Sequence, residues 1–145
     1  MDPKGGAYVA QNLKAWEEVA PIHARHNQER LKAAFGDPAY LALDDIAISR
    51  LRALGIKGAD ILQICCNNGI EVLSAGRLGA RRVVGIDGAA GFVAQAQDLA
   101  KAARIDASFH AANIYEPPSH LDGGFDIVMI TIGVLSWMPD IDRFF

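Results

Sequence analysis

The chain has 145 residues, of which 51% are hydrophobic and 21% charged, and its formal net charge is −3. These values predict one folded domain with a substantial core, and they exclude a disordered chain and bulk attraction to nucleic acid or to an anionic membrane. No apolar run reaches the roughly 20 residues of a membrane span, and no signal-peptide core opens the chain, so a cytoplasmic protein is expected.

The first 54 residues carry the spacing of helices rather than of strands. Leu13, Trp16 and Val19 recur three apart and place an apolar stripe on a helix over residues 8–35. A break in that helix is expected at Pro21, because proline lacks the backbone N–H of an interior position. After a turn at residues 36–38, a second helix is expected over residues 41–54, with Gly55 as its stop.

From residue 55 onwards, apolar runs alternate with helical patterns. Strands are predicted over residues 61–66, 82–87, 107–112 and 125–132, and helices over residues 69–78 and 90–103. Residues 133–145 are expected to begin as a loop that leads into a further helix. Such an alternation requires a parallel sheet with right-handed crossovers, and it therefore predicts an α/β fold.

The turn after the first predicted strand organises the rest of the chain. Residues 59–69, ADILQICCNNG, pass from an apolar run through small and polar residues to Gly69, and the second strand closes on Asp87. Their separation is close to the roughly 20 residues typical of a nucleotide-binding βαβ unit, in which the acid accepts hydrogen bonds from two ribose hydroxyls. The single glycine does not fit G-x-G-x-x-G, which disfavours a nicotinamide-dependent oxidoreductase.

Four segments, in this order, resemble the motifs of class I S-adenosylmethionine-dependent methyltransferases. They are ILQICCNNG, VVGID, HAANIYEPP and FDIVMITIGVLSWMPD, one for each predicted strand. The resemblance implies a Rossmann-like, three-layer α/β/α fold whose parallel sheet has the strand order 3-2-1-4, with the family's C-terminal strands missing. It also implies S-adenosylmethionine as the cofactor and a small molecule as the methyl acceptor. Residues 1–54 would form an N-terminal helical lid or extension on an incomplete cofactor-binding domain, residues 55–145.

The same resemblance places cofactor-binding residues at the strand ends. Gln63 stands where the family has an acid, and a neutral amide would hold the cofactor's ammonium group less strongly than a carboxylate. Asn67 and Asn68 are expected to keep the shape of the glycine turn, because asparagine tolerates positive φ. Gly69 is expected to let the backbone approach the cofactor closely. The implied set is Gln63, Cys65, Asn67, Asn68, Gly69, Asp87, Gly88, Asn113, Ile114 and Thr131.

Roles within this set follow the family's motifs. Asp87 would bind the ribose, and Asn113 with Ile114 would border the adenine. No catalytic base is assigned, because the cofactor carries the reactivity and the protein mainly orients the reactants and excludes water. Ser136 and Trp137 are expected to line the pocket together with Thr131, and the lid could place Tyr8 or Trp16 against the sulfonium.

Two residue pairs are not interpreted as sites, and one alternative function remains open. The adjacent pair Cys65-Cys66 is interpreted as small residues buried at a strand end, since adjacent cysteines bridge only with strain and two ligands do not make a zinc site. His23 and His26 lie three apart, but no further ligand completes a set, so no metal site is predicted. An uncovered fourth strand would be an exposed sheet edge. A partner protein or a second copy could bind at this edge, so a non-catalytic methyltransferase-like module remains an alternative function.

Overall fold

The computed structural model describes residues 3–145, which form five α-helices and four β-strands. The helices are α1 (Pro3–Gly36), α2 (Asp45–Ala53), α3 (Ile70–Arg77), α4 (Ala90–Ala103) and α5 (Ile141–Phe144). The strands are β1 (Asp60–Ile64), β2 (Arg82–Asp87), β3 (Ser108–Ala111) and β4 (Ile127–Met129). Two 3₁₀ turns, Ser119–Leu121 and Val134–Trp137, flank β4.

The four strands form one parallel sheet in the order β3-β2-β1-β4. The predicted α/β class and the predicted strand order are therefore confirmed. All four strands point the same way, so their carboxyl ends meet at one edge of the sheet, which is where ligands bind in open α/β sheets. β1 and β2 pair from Asp60 opposite Arg82 to Ile64 opposite Ile86, and this pairing brings the turn after β1 beside Asp87.

β4 is shorter than the strand predicted over residues 125–132. Its pairing with β1 ends where Gln63 lies opposite Met129. Two residues later β1 turns away, because Cys65 has a φ of 54°. The residues after Met129 consequently lose their strand partner, and the side chain of Ile132 is 99% exposed.

The two faces of the sheet are covered unequally. α3 and α4 lie on one face, where Val72, Leu73 and Leu99 pack with apolar residues of the strands. On the other face, Leu62 and Val84 pack with Leu121 of the first 3₁₀ turn. That second layer is a loop with a single 3₁₀ turn rather than a helix.

α1 is one helix, and the predicted break at Pro21 is wrong. A proline inside a helix costs about 3 kcal/mol in isolation, so the contacts around it must hold the helix together. Gln95 of α4 supplies them on both sides of the proline. Its side-chain Nε2 donates to the carbonyl of Ala20 at 2.9 Å, and its backbone carbonyl accepts a hydrogen bond from Gln28 Nε2 at 3.1 Å.

α1 and α4 also approach closely nearer the sheet edge. The Glu17 carboxylate accepts hydrogen bonds from the backbone N–H groups of Ala90 and Gly91, the first two residues of α4. A carboxylate at this position satisfies unpaired donors and interacts favourably with the helix dipole. Gly91 permits the approach, since a Cβ there would lie 2.7 Å from the Cβ of Ala20.

α2 begins four residues later than the prediction that placed it over residues 41–54. The Asp44 carboxylate accepts a hydrogen bond from the backbone N–H of Ala47 at 2.7 Å and so fixes the helix start. The predicted stop is confirmed, because Gly55 follows with a φ of 79°. Leu51 of α2 and Phe35 of α1 belong to the same apolar cluster as β1 and β2.

Candidate cofactor-binding site

A cleft of about 360 Å³ opens at the carboxyl ends of the strands. This volume lies in the range of roughly 300–1,000 Å³ that is typical of small-molecule sites. Its floor is formed by the turn after β1 and by the ends of β2 and β3. The loop after β4 forms one wall, and the first half of α1 forms the other.

The turn after β1 keeps a glycine-like backbone although only one of its residues is glycine. Cys65, Asn67 and Gly69 have φ values of 54°, 49° and 75°, and these are the positions where the resembled turn carries glycines. The prediction that Asn67 and Asn68 hold the turn is thus half right, because Cys65 takes the left-handed conformation and Asn68 does not. The backbone N–H of Asn68 donates to Asn67 Oδ1 at 2.8 Å, which stabilises this shape.

Asp87 joins that turn to the end of β2. Its Oδ2 accepts a hydrogen bond from the backbone N–H of Asn67 at 2.7 Å, and its Oδ1 accepts one from that of Ala89 at 2.9 Å. Burial raises the pKa of Asp87 above its usual value, and these two hydrogen bonds oppose the rise by stabilising the ionised form. A carboxylate oxygen can accept more than one hydrogen bond, so these two bonds do not exhaust the acceptor capacity of Asp87.

The ends of the other strands complete the floor as predicted. Gly88 lies under α1, where an added Cβ would overlap the Leu13 side chain. Asn113 and Ile114 line the cleft after β3. Asn113 Oδ1 accepts a hydrogen bond from the backbone N–H of Tyr115 at 3.1 Å, so this residue shapes its own loop as well as lining the cleft.

α1 reaches across the cleft to the loop after β4. Asn12 Nδ2 donates to the carbonyl of Trp137 at 3.0 Å, and the rings of Trp16 and Trp137 pack edge to face with centroids 5.2 Å apart. Trp16 therefore lines the cleft as predicted for a lid residue. Tyr8 is 59% exposed and is not among the lining residues, so the alternative aromatic contact is not supported. Ser136 does not line the cleft either.

Eight of the ten predicted cofactor-binding residues line the cleft, and Gln63 and Gly69 do not. Gln63 is fully buried behind the lining, with 0% exposure. The α-carbon of Gly69 faces the core instead of the cleft, since a Cβ there would lie 2.7 Å from Phe109 Cε1 and 2.9 Å from Ala96 Cβ. Side chains of the core, rather than the expected ligand, therefore lie close to the backbone of Gly69.

A second carboxylate of the cleft was not predicted from the sequence. Glu71, in the first turn of α3, lines the cleft and accepts a hydrogen bond from Gln63 Nε2 at 2.5 Å. The sequence held one indication of it. Where Gln63 replaces the acid of the resembled motif, another acid follows eight residues later.

His23 lines the cleft from α1, whereas His26 of the same helix is exposed. His23 Nδ1 lies 3.1 Å from Gln95 Oε1, between α1 and α4. Among residues 3–145, no group of three or more His, Cys, Asp or Glu side chains could hold a metal ion. Both cysteines are free thiols. None of the helices in this part of the chain is long and apolar enough to cross a membrane.

Cys65 should react slowly with alkylating agents although it lines the cleft. Burial raises its pKa to about 12, and the nearby Asp87 carboxylate adds to the rise. Because the thiolate is the nucleophile, a rise of three pKa units lowers the reactive fraction about 1,000-fold at pH 8. Iodoacetamide labelling, followed by peptide mass spectrometry, should be far slower for native than for urea-unfolded protein. Equal rates would contradict the buried, neutral thiol.

Comparison with known proteins identifies the family of the chain. Residues 61–145 match the sequence model of a family described as a methyltransferase domain, and this match spans more than half of the chain. The chain belongs to this family. The predicted resemblance to class I S-adenosylmethionine-dependent methyltransferases is thereby confirmed.

Solved structures with the same fold include several methyltransferases. Magnesium protoporphyrin IX methyltransferase from Synechocystis, with bound S-adenosylmethionine, has a TM-score of 0.57 and 21% identity over 68% of this chain and 47% of that chain. DhpI in complex with S-adenosylhomocysteine has a TM-score of 0.52 and 20% identity over 77% of this chain and 48% of that one. A search of curated proteins finds no match.

A third structure is slightly closer in sequence. It concerns the conversion of a disulfide bond into a thioacetal group during echinomycin biosynthesis, with a TM-score of 0.51 and 26% identity over 59% of this chain and 36% of that chain. This methyltransferase-domain chain therefore spans about half, or less, of the length of these proteins.

Proposed function

We propose that this chain binds S-adenosylmethionine, the cofactor of its family, and takes part in methyl transfer to a small-molecule acceptor. The observation that carries the proposal is the pairing of Asp87 with the left-handed turn after β1 at the floor of the cleft. Two neighbours act in small-molecule chemistry, on magnesium protoporphyrin IX and in echinomycin biosynthesis, and this supports an acceptor of that class.

The residues at the strand ends fit the parts of such a cofactor. Asp87 would accept hydrogen bonds from the ribose hydroxyls, and Asn113 with Ile114 would border the adenine. Cys65, Asn67, Asn68, Gly88 and Thr131 line the remaining surface. Gln63 and Gly69 contribute from behind it by fixing the turn and the helix that follows.

When bound, the cofactor supplies the electrophilic methyl group. The protein's part is to orient the two reactants and to keep water away from them. Trp16 and Trp137 meet across the cleft and exclude water from one side. Residues 1–54 serve, in this proposal, as a helical lid or extension on the cofactor-binding unit of residues 55–145.

Isothermal titration of S-adenosylmethionine and S-adenosylhomocysteine tests the proposal, with NAD as the control. Binding of the first two in the micromolar range, without binding of NAD, is the expected result. Failure of both to bind, in this chain and in any longer chain that contains it, would contradict the proposal.

A second function is favoured by the exposed fourth strand. β4 lies at the edge of the sheet, and Val128 within it is 58% exposed. Such an edge can accept a further strand from a partner protein or from a second copy. A chain that binds no adenosine ligand but self-associates, and that loses this association in Val128→Lys, would support the non-catalytic module.

A further inference from the structure

We infer that Glu71 holds the ammonium group of the cofactor's amino-acid end, with Gln63 as its positioning residue. The inference rests on the proposed function and deepens it by assigning one end of the ligand. Asp87 and Glu71 are the two carboxylates among the described residues that line the cleft. They stand on opposite sides of the turn formed by residues 65–69.

The position of Asp87 defines the nucleoside side of the cleft. It closes β2, and its oxygens accept the backbone N–H groups of Asn67 and Ala89. Glu71 lies on the other side of the turn, where Gln63 connects it to the loop after β4 through Thr131 Oγ1, 3.5 Å from Gln63 Nε2. A ligand with ribose hydroxyls at one end and an ammonium group at the other would place one end beside each of the two acids.

Gln63 is anchored through both atoms of its amide. Its Oε1 accepts a hydrogen bond from the backbone N–H of Val72 at 3.1 Å, and its Nε2 donates to Glu71 Oε2 at 2.5 Å. The side chain is fully buried, so this geometry is not open to exchange with water. Glu71 is thereby held by a fixed donor while remaining partly exposed at the cleft.

The amide at position 63 and the acid at position 71 complement each other. A carboxylate at position 63 would place its oxygen beside the Glu71 oxygen, and two carboxylates so close do not both stay ionised. With an amide there, the side chain at position 63 instead donates a hydrogen bond to Glu71. The absence of an acid from β1 is, in this view, a relocation of the carboxylate to the first turn of α3 rather than a loss of it.

Asn68 adds an independent indication of a polar ligand group nearby. This residue lines the cleft, is 3% exposed, and its Nδ2 has no hydrogen-bond partner among the described residues. A buried donor without an acceptor is unfavourable, and a ligand acceptor at this place would satisfy it. Besides the ammonium group, the amino-acid end of the cofactor carries a carboxylate, which would supply such an acceptor.

The test compares two ligands in the variant Glu71→Gln. S-adenosylhomocysteine carries the amino-acid end, whereas 5′-methylthioadenosine keeps the adenosine and the sulfur but lacks that end. We expect the variant to bind S-adenosylhomocysteine about 10- to 100-fold more weakly, as for the loss of a hydrogen-bonded charge. Binding of 5′-methylthioadenosine should be unchanged, and it also shows that the variant is folded.

Glu29→Gln is the matched control, because it removes the same charge from an exposed position on α1 outside the cleft. It should bind both ligands as the wild type does. Unchanged affinity of Glu71→Gln for S-adenosylhomocysteine, or an equal loss of both ligands, would overturn the inference and leave the proposed function standing. A wild-type chain that binds neither ligand would instead overturn the proposed function, and this assignment with it.

Discussion

Asp87→Ala should remove most of the binding of S-adenosylhomocysteine. The substitution takes away the acceptor of two ribose hydroxyls, and hydrogen bonds to a charged group are each worth about 1.5–3 kcal/mol. It also releases the backbone N–H of Asn67, which holds the turn against the end of β2. The loss of these hydrogen bonds should weaken binding at least about 100-fold. Isothermal titration measures this change in affinity.

Asp87→Asn separates the two contributions. The amide has nearly the same shape as the carboxylate, and its oxygen still accepts one backbone N–H, so the turn should persist. Affinity should nevertheless fall by about tenfold or more, because one acceptor and the charge are gone. A folded Asp87→Asn protein with wild-type affinity would show that Asp87 does not contact the ligand.

The raised pKa of Asp87 predicts how stability depends on pH. A carboxyl with a raised pKa in the folded state contributes stability that is present below its ordinary pKa of 3.8 and is lost as the pH rises through the folded value. The wild type should therefore lose stability relative to Asp87→Asn as the pH rises from 3.8. Urea unfolding of both proteins across that range measures the change, and a constant difference between them would contradict the buried, raised carboxyl.

Gly69→Ala should destabilise the fold strongly. Its φ of 75° costs a residue with a side chain about 1–2 kcal/mol, and the new Cβ would lie 2.7 Å from Phe109 Cε1 in the core. Overpacking of this kind adds about 1–3 kcal/mol, because neither the Phe109 ring nor the short Ala96 side chain can move aside freely. Together these terms take a large part of a typical stability of about 5–15 kcal/mol.

Gly55→Ala is the control for this substitution. Gly55 has nearly the same φ, 79°, but a Cβ there would meet nothing within 4 Å. It should therefore lose only the backbone term, and its free energy of unfolding in urea should lie between those of the wild type and Gly69→Ala. Equal losses in the two variants would mean that the core around Phe109 accommodates the extra carbon.

The sheet was predictable because its signals are local and agree with one another. Apolar runs of strand length, glycines at element ends and the acid that closes β2 all predict one parallel arrangement, and the four motifs supply its order. The helix break at Pro21 was wrong for the opposite reason. The contacts that sustain α1 come from Gln95, more than 70 residues away in the chain, and no local pattern contains them.

Within the site, the sequence identified which residues lie near the cleft better than it identified which way these residues face. Gly69 was expected to face a ligand, yet its left-handed backbone just before α3 directs its α-carbon toward Phe109 and Ala96. Gln63 was expected to touch the cofactor, yet its register opposite Met129 buries it behind Glu71. Both corrections depend on which face of an element is turned to the cleft, and spacing along the chain does not determine that.

The left-handed turn after β1 also affects the unfolded chain. A residue with a side chain samples fewer conformations before folding than glycine does, and this restriction favours the native state by about 0.4–1 kcal/mol per position. Cys65 and Asn67 hold φ values of 54° and 49°, so each gains this entropic advantage while bearing the strain of its conformation. At Cys65 the strain of about 1–2 kcal/mol exceeds this gain, whereas asparagine tolerates positive φ, so the balance is closer at Asn67. A turn built from such residues folds with a smaller loss of disorder than a glycine-rich turn, and reaches the same backbone shape.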